Sequence, residues 1–389
     1  MLIEIHMLQS HAPSNLNRDD TGSPKDAWFG GHLRARISSQ CIKRSIRTSP
    51  LMEQELGEHL AVRTRRFPEL LQAELRSLEL DDDAVRVIAA KATQFGKGEA
   101  PASEGTAEQQ QVKAGKPQEP EHLETRQLMF CSAAEVGELA TALASLYERV
   151  GAQAFAKMNP EGVIKELGAA GASLPRSVDI ALFGRMTTQP APFANVEAAM
   201  QVAHAISTHA IERQFDYFTA VDDLKMGDET GAGHLGDIEF NAAVYYKYFS
   251  LDWDEFIDDR HLAGDADVAR RAVAVFIRAA ALTTPTGKQN SFAAHNPPDA
   301  ILVEVKPENI PVSYANAFVD PARPDSDNDL VEASIKAFAG YAAKLRTMYG
   351  LPVTHSWWLC SHPIEFADAT SCVSLPELIA ALDGVLAGR

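Results

Sequence analysis

The chain opens on a two-residue alternation. Ile3, Ile5 and Met7 fall on one side and Glu4 and His6 on the other, the pattern of a half-buried strand. A run of turn formers follows, HAPSNLNRDDTGSPKD, then Gly30-Gly31 and a second alternating stretch, LRARIS. There Leu33, Ala35 and Ile37 share one face, and Arg34, Arg36 and Ser38 share the opposite one. Ser38-Ser39 offers an N-cap for a short helix. Ile42 and Ile46 are spaced for one face of that helix, while Gln40, Lys43, Arg44 and Arg47 form a continuous polar stripe.

Residues 51–95 carry leucine-rich helical periodicity, and 126–170 resume it. Between them, 96–125 is poor in apolar residues and rich in Gly, Pro, Glu and Gln, which reads as a mobile surface loop. SVDIALFGRM reads as a strand, and a helix is expected at about 195–210. The glycine-rich KMGDETGAGHLGD, flanked by aromatic runs, reads as a hairpin tip. AAVYYKYF, ILVEV and the surroundings of VSYANAF read as strands, 321–329 as a loop, and 330–348 and 376–387 as helices. No fixed-period repeat is visible.

Charge changes the picture. The 389 residues include 53 Asp and Glu against 36 Lys and Arg, a formal net charge of −17. Such a surface opposes general adhesion to nucleic acid. Yet residues 27–52 contain no acid and carry Arg34, Arg36, Lys43, Arg44 and Arg47, with Arg18 and Lys25 just before them. A local anionic ligand is implied. The helix N-terminus favours an anion as well. Together these groups suit several successive phosphates, as in a tracked single-stranded RNA backbone. The bland alternative is a solvated helix face.

The remaining chemistry is thin. Cys41, Cys131, Cys360 and Cys372 are far apart and form no C-x-x-C pair, which argues against a disulfide framework or structural zinc and fits a reducing cytoplasm. The N-terminus has no basic leader, and no apolar run approaches a membrane span. GAGHLG at 231–236 matches G-x-G-x-x-G, but polar residues precede it and strand-like ones follow, so a dinucleotide site is not expected. TGKQN lacks the first Gly of a P-loop, since Leu282 stands there, and has Gln289 in place of Ser or Thr. Its Lys288 loop can still touch phosphate through backbone N–H groups. His204 and His209 are five apart and make no metal site. Asp19-Asp20 and Asp222-Asp223 could hold a divalent cation but read first as turn or cap residues. No metal and no cofactor is expected.

SHAPSNLNRDDTGSPKDAWFGGHLRARISSQCIKRSIR resembles the N-terminal signature of the CasC family, the backbone subunit of type I-E CRISPR Cascade complexes. The likeness continues collinearly in VDIALFGRM, MQVAHAISTHAIERQFDYFTAVDDL, GAGHLGDIEF and KQNSFAAHNPPD. The 96–125 insertion and the 320–330 loop look peculiar to this chain. The resemblance implies an α+β fold with a ferredoxin-like, RNA-recognition-motif type palm over 1–50 and 174–320. A helical fingers insertion spans 51–173, a β-hairpin thumb spans 211–243, and a C-terminal helical segment, 321–389, packs on the palm. It implies copies polymerised head-to-tail on a crRNA guide among other Cascade subunits in the cytoplasm. The thumb of one copy would displace every sixth nucleotide so that the rest pair with target DNA. By motif, Lys25, Ser38, Gln40, Lys43, Arg44 and Arg47 look like backbone contacts. Met186 looks like an apolar wedge beside the kinked nucleotide, and Phe218 and Thr219 lie at the thumb base. The subunit would not be an enzyme. The alternatives are a metal-dependent RNA endonuclease using Asp19, Asp20, Asp222 or Asp223, and a metabolic enzyme with a phosphorylated substrate.

Overall fold

The computed structural model describes residues 1–96, 123–168, 177–187, 191–220 and 234–388. Most of the 96–125 insertion and residues 221–233 of the expected hairpin tip, with Asp222 and Asp223, lie outside them. The chain divides into two compact units. The first is Met1–Gly57, Ala199–Phe256 and Asp265–Arg389, and the second is Glu58–Ala198 with Ile257–Gly264. Among the described residues no helix is long and apolar enough to cross a membrane.

Twelve strands are described: β1 (Leu2–Ser14), β2 (Asp26–Phe29), β3 (His32–Ile37), β4 (Val62–Thr64), β5 (Met129–Cys131), β6 (Met200–Val202), β7 (Ala205–Ser207), β8 (Gln214–Ala220), β9 (His234–Asp252), β10 (Ala300–Lys306), β11 (His355–Cys360) and β12 (Thr370–Ser371). All but β4 and β5 form the sheet of the first unit, in the order β12-β11-β10-β1-β9-β7-β3-β2, with β6 and β8 also paired to β9. The long β9 is the spine. One edge pairs with β1 and the other takes β6, β7 and β8 in turn. These pairings replace the helix expected at 195–210, because a short segment beside a long open strand edge satisfies its backbone there. VSYANAF likewise holds a 3₁₀ turn, Ala315–Phe318, rather than a strand.

Strand β1 alternates as expected, but both of its faces are buried. The β9 residue Phe249 packs on Phe276 of the helix Ala266–Leu282. The opposite face carries Glu4 and His6 and meets the helix Leu330–Tyr349 through Tyr246, Tyr248, Tyr314 and Phe338. A solvated face was expected because Glu4 and His6 are polar. They are buried because partners satisfy them. His6 Nδ1 lies 2.8 Å from the Tyr246 hydroxyl and Nε2 3.2 Å from Glu304. Lys306 and the Tyr248 hydroxyl bind Glu4. Arg346 Nε donates to Glu304 at 2.7 Å. Glu4, His6 and Glu304 bring three ligand-type atoms within 4.8 Å of one another. Two cations already balance the two carboxylates, so the cluster is an ion network within the core.

Another buried cation has no such balance. Lys247 on β9 is almost wholly buried and donates to the Ala280 carbonyl. Burial pushes its ammonium down to about 7. Below that pH the folded state holds a buried charge that the unfolded chain hydrates freely, so stability rises with pH from 7 toward 10.5. Lys247→Met is therefore expected to stabilise the protein by roughly 1–4 kcal/mol at pH 6, with the gain shrinking by pH 9. Urea denaturation at the two pH values checks this, and a gain that grows with pH would contradict it.

The second unit is helical around Phe67, Leu71, Ile88, Leu139, Leu143, Phe155 and Val163, with the β4–β5 pair at one side. Ser132 and Glu135 form a capping box on the helix Ala133–Val150. SVDIALFGRM is a helix, Val178–Phe183, rather than a strand. A short run with one polar residue, Asp179, among apolar ones has no diagnostic period. Here Gly184 at φ +77° ends the helix and its N–H caps the Ile180 carbonyl at 2.8 Å.

Candidate nucleic-acid interface

In the first unit, the Gly30-Gly31 turn joins β2 to β3 with both glycines at positive φ, a two-residue hairpin of the type that matches strand twist. Strand β3 then runs into the helix Ser39–Arg47. Ser38 caps it, accepting from Cys41 N at 3.3 Å, while its own N–H donates to Asn17 Oδ1 at 2.8 Å. The first helical turn contains no acid, and Arg44 and Arg47 stand in the last. Ile42 and Ile46 are buried as the spacing predicts.

Arg34 departs from its expected role. Its side chain is fully buried, and its guanidinium donates to the carbonyls of Phe318 (2.7 Å), Val319 (3.3 Å) and Ser207 (3.3 Å). It ties β3 to the 318–319 turn and is out of reach of a ligand. Ser38 is also buried, and its oxygen serves the cap. Alternation places both on a polar face, but neighbouring segments cover that face.

The exposed and half-buried cations gather around Lys25. The Lys25 carbonyl accepts from Arg36 N at 2.9 Å, so this loop lies against β3. Burial raises the Cys41 thiol, and Lys25 and Arg44 pull it back, which places both charges within electrostatic range of the helix's first turn. Arg36 Nη1 lies 3.3 Å from His204 Nδ1. A guanidinium only donates, so Nδ1 accepts and the neutral imidazole carries its proton on Nε2. Burial, then Arg36 and Lys25, hold His204 below its ordinary value. Residues 203–204 join β6 to β7, and the exposed His204 thus belongs to the cationic cluster. Nothing in its local sequence marks it, because long-range pairing onto β9 places it there.

Burial lowers the Lys43 ammonium, and Lys43 and Arg47 sit half-buried beside the exposed Gln40 and Arg44. Arg18 is exposed and forms a bridge with Pro24. Among the described residues no carboxylate ion-pairs with Arg18, Lys25, Arg36, Arg44 or Lys288, while Asp26 is taken by Arg213. Lys288 adopts the left-handed conformation. Its neighbour Gly287 sits against the backbone of Asn15 and Leu16, where a Cβ would lie 2.4 Å from the Leu16 carbonyl. This close approach brings the TGKQN loop to the strand end that leads into Arg18. Asp19 accepts from the backbone of Thr21 and Ser23, a turn role.

Phe218 and Thr219 lie on β8, opposite Gly236 and Leu235 of β9. The Phe218 ring crosses Gly236 so closely that a Cβ there would lie 2.5 Å away. The last glycine of GAGHLG thus seats an aromatic ring. In the second unit Met186 is 93% exposed, an unusual state for a large apolar side chain.

The model of the CT1975-like protein family matches residues 3–381. The chain belongs to that family. This bears out the CasC resemblance read from the sequence. A solved chain described as part of a "CRISPR RNA-guided surveillance complex, pre-nicking" is 32% identical with a TM-score of 0.78, covering 99% of this chain and 100% of that one. Another, from a "CRISPR RNA-guided surveillance complex", shares the fold at 24% identity and a TM-score of 0.60, with 99% of each chain covered. No curated protein matches. The α+β fold expected from the sequence is that of these family structures.

Proposed function

We propose that this chain is a non-catalytic subunit of an RNA-guided CRISPR surveillance complex of the type I-E Cascade class. Copies polymerise head-to-tail along a crRNA guide in the cytoplasm, among other Cascade subunits. The observation that carries the reading is the cluster of Lys25, Arg36 and Arg44 around an acid-free capped helix, without carboxylate partners among the described residues, in a chain of net charge −17. Likeness over full length to a surveillance-complex chain supports it.

Guide holding must not depend on spacer sequence. It therefore rests on phosphates and 2′-hydroxyls rather than base edges. Lys25, Gln40, Lys43, Arg44 and Arg47, with Arg18, Arg36 and Lys288 beside them, bind the backbone. Met186 wedges beside a kinked nucleotide, and Phe218 and Thr219 belong to a thumb that folds over the guide on the neighbouring copy. Target DNA is read by base pairing to the guide. Head-to-tail contacts generate an open filament suited to a linear RNA.

The protein purified with co-expressed guide is expected to carry RNA, seen as a raised 260 to 280 nm absorbance ratio. It should protect that RNA from nuclease at regular intervals and leave it intact with magnesium. A monomer free of RNA, or steady cleavage abolished by Asp→Asn at position 19, would overturn the reading.

A further inference from the structure

The cationic cluster of the first unit contains a histidine to which the guide reading gives no role. Strands β3 and β7 pair Arg36 with Ile206 and Ile37 with Ala205, so the next residue, His204, runs toward Ser38 and the capped helix. There its Nδ1 accepts from Arg36 Nη1 at 3.3 Å. Arg36 is held on its other side, where Nε donates to the Asp26 carbonyl at 3.1 Å and the backbone N–H donates to the Lys25 carbonyl at 2.9 Å. Two donors are left over, Nη2 of Arg36 and Nε2 of His204. Among the described residues neither has a hydrogen-bond partner.

The surroundings of the ring hold cations and no available acid. Burial first, then the charges of Arg36 and Lys25, disfavour its protonated form. Asp26 is paired with Arg213. Strands β6 and β7, on either side of His204, carry no titratable side chain. On β9, the Tyr246 hydroxyl meets His6, the Tyr248 hydroxyl donates to Glu4, and Lys247 donates to the Ala280 carbonyl. Ala203 packs against the core beside the helix Leu330–Tyr349, where Glu332 and Lys336 pair with each other at 3.0 Å.

Nδ1 can accept from Arg36 only while the ring is neutral. Protonation makes both ring nitrogens donors, ends that contact and sets two cations side by side. Without an anion this arrangement is unfavourable. A phosphate between the two reverses the balance, because an opposite charge within a few ångströms favours the imidazolium. We propose that His204 is a further guide-binding residue: on taking up a proton it releases Arg36, and the two side chains then hold one phosphate of the guide backbone together. The proposal rests on the function proposed above and adds a proton to the binding step. Guide affinity then rises as pH falls through the range in which the ring titrates, about pH 8 to 5. Phosphodiesters stay ionised throughout that range, so the dependence comes from the protein.

The test titrates the full chain with labelled guide RNA at one salt concentration and two pH values. Wild-type affinity is expected to rise about tenfold from about pH 8 to about pH 5.5, which corresponds to a difference of about one pH unit between the free and the bound ring. His204→Gln keeps a neutral polar group and should bind at both pH values about as the wild type does at the higher one. His204→Lys carries a permanent charge and should bind at both as the wild type does at the lower one. Calorimetry in two buffers of different ionisation enthalpy should count protons taken up by the wild type on binding and fewer by His204→Gln. A full pH dependence retained in His204→Gln would overturn the proposal. So would an equal loss of affinity at both pH values with no rescue by His204→Lys, which marks a merely structural role. A wild type that binds guide with no pH dependence overturns the proposal and leaves the proposed function standing. A wild type that binds no guide at either pH overturns that function, and the proposal falls with it.

Discussion

Alanine at Lys25, Lys43, Arg44 and Arg47 together is expected to release the guide. Each side chain is assigned to a backbone phosphate, and single-stranded nucleic acid loses about 0.7 in salt slope for each neutralised phosphate removed. The quadruple variant should therefore show a slope shallower by about 3 and affinity lower by one to several decades at low salt. The loss should be the same for unrelated spacer sequences, because phosphates carry no sequence information. Folding should survive. Ile42 and Ile46 hold the helix in the core and Ser38 caps it, and none of these three is among the substituted residues. Titration of labelled guides of two sequences across a salt series measures both quantities. Unchanged binding, or a loss confined to one sequence, would remove the site assignment.

The second large effect concerns stability. Burial by itself would raise the Glu304 carboxyl, but the His6 hydrogen bond and charge, with Arg346 and Lys306, bring it down to about 2. A carboxylate depressed on folding stabilises the protein above its ordinary value of 4.5 and loses that contribution as pH falls toward 2. Glu304→Gln removes the charge and leaves Arg346, and with it His6, facing a neutral group. Breaking one partner out of a buried ion network costs about 3–5 kcal/mol. The variant should thus be less stable at pH 7 by that amount. Its stability should also fall less steeply than the wild type between pH 4.5 and 2. Urea denaturation across that range measures both. A variant within about 1 kcal/mol of the wild type, with a parallel acid limb, would show that the network is worth no more than exposed ion pairs.

Much of the candidate site was legible because its signals are local. The stripe of Gln40, Lys43, Arg44 and Arg47 follows from helical spacing, the cap follows from Ser38, and the buried side follows from Ile42 and Ile46. Arg36 and Lys25 were visible as cations near that helix. Arg34 was misplaced by the same reasoning. Alternation names the face a residue points to, but the 318–319 turn, far away in sequence, closes over it. The place of His204 in the cluster was not legible at all. It depends on a pairing between distant segments, β6 and β7 onto β9.

The sequence by itself determined where period and caps agree. It placed the helices Ser39–Arg47, Leu330–Tyr349 and Leu375–Leu386, the part of β9 over 242–249 and β10, since a helix or a long strand carries its pattern within its own residues. Only the tertiary structure decided what covers the second face of β1, whether short apolar runs such as Val178–Phe183 coil or extend, and which arginines stay in water. Those outcomes depend on desolvation and on partners tens to hundreds of residues away, and no local periodicity encodes them.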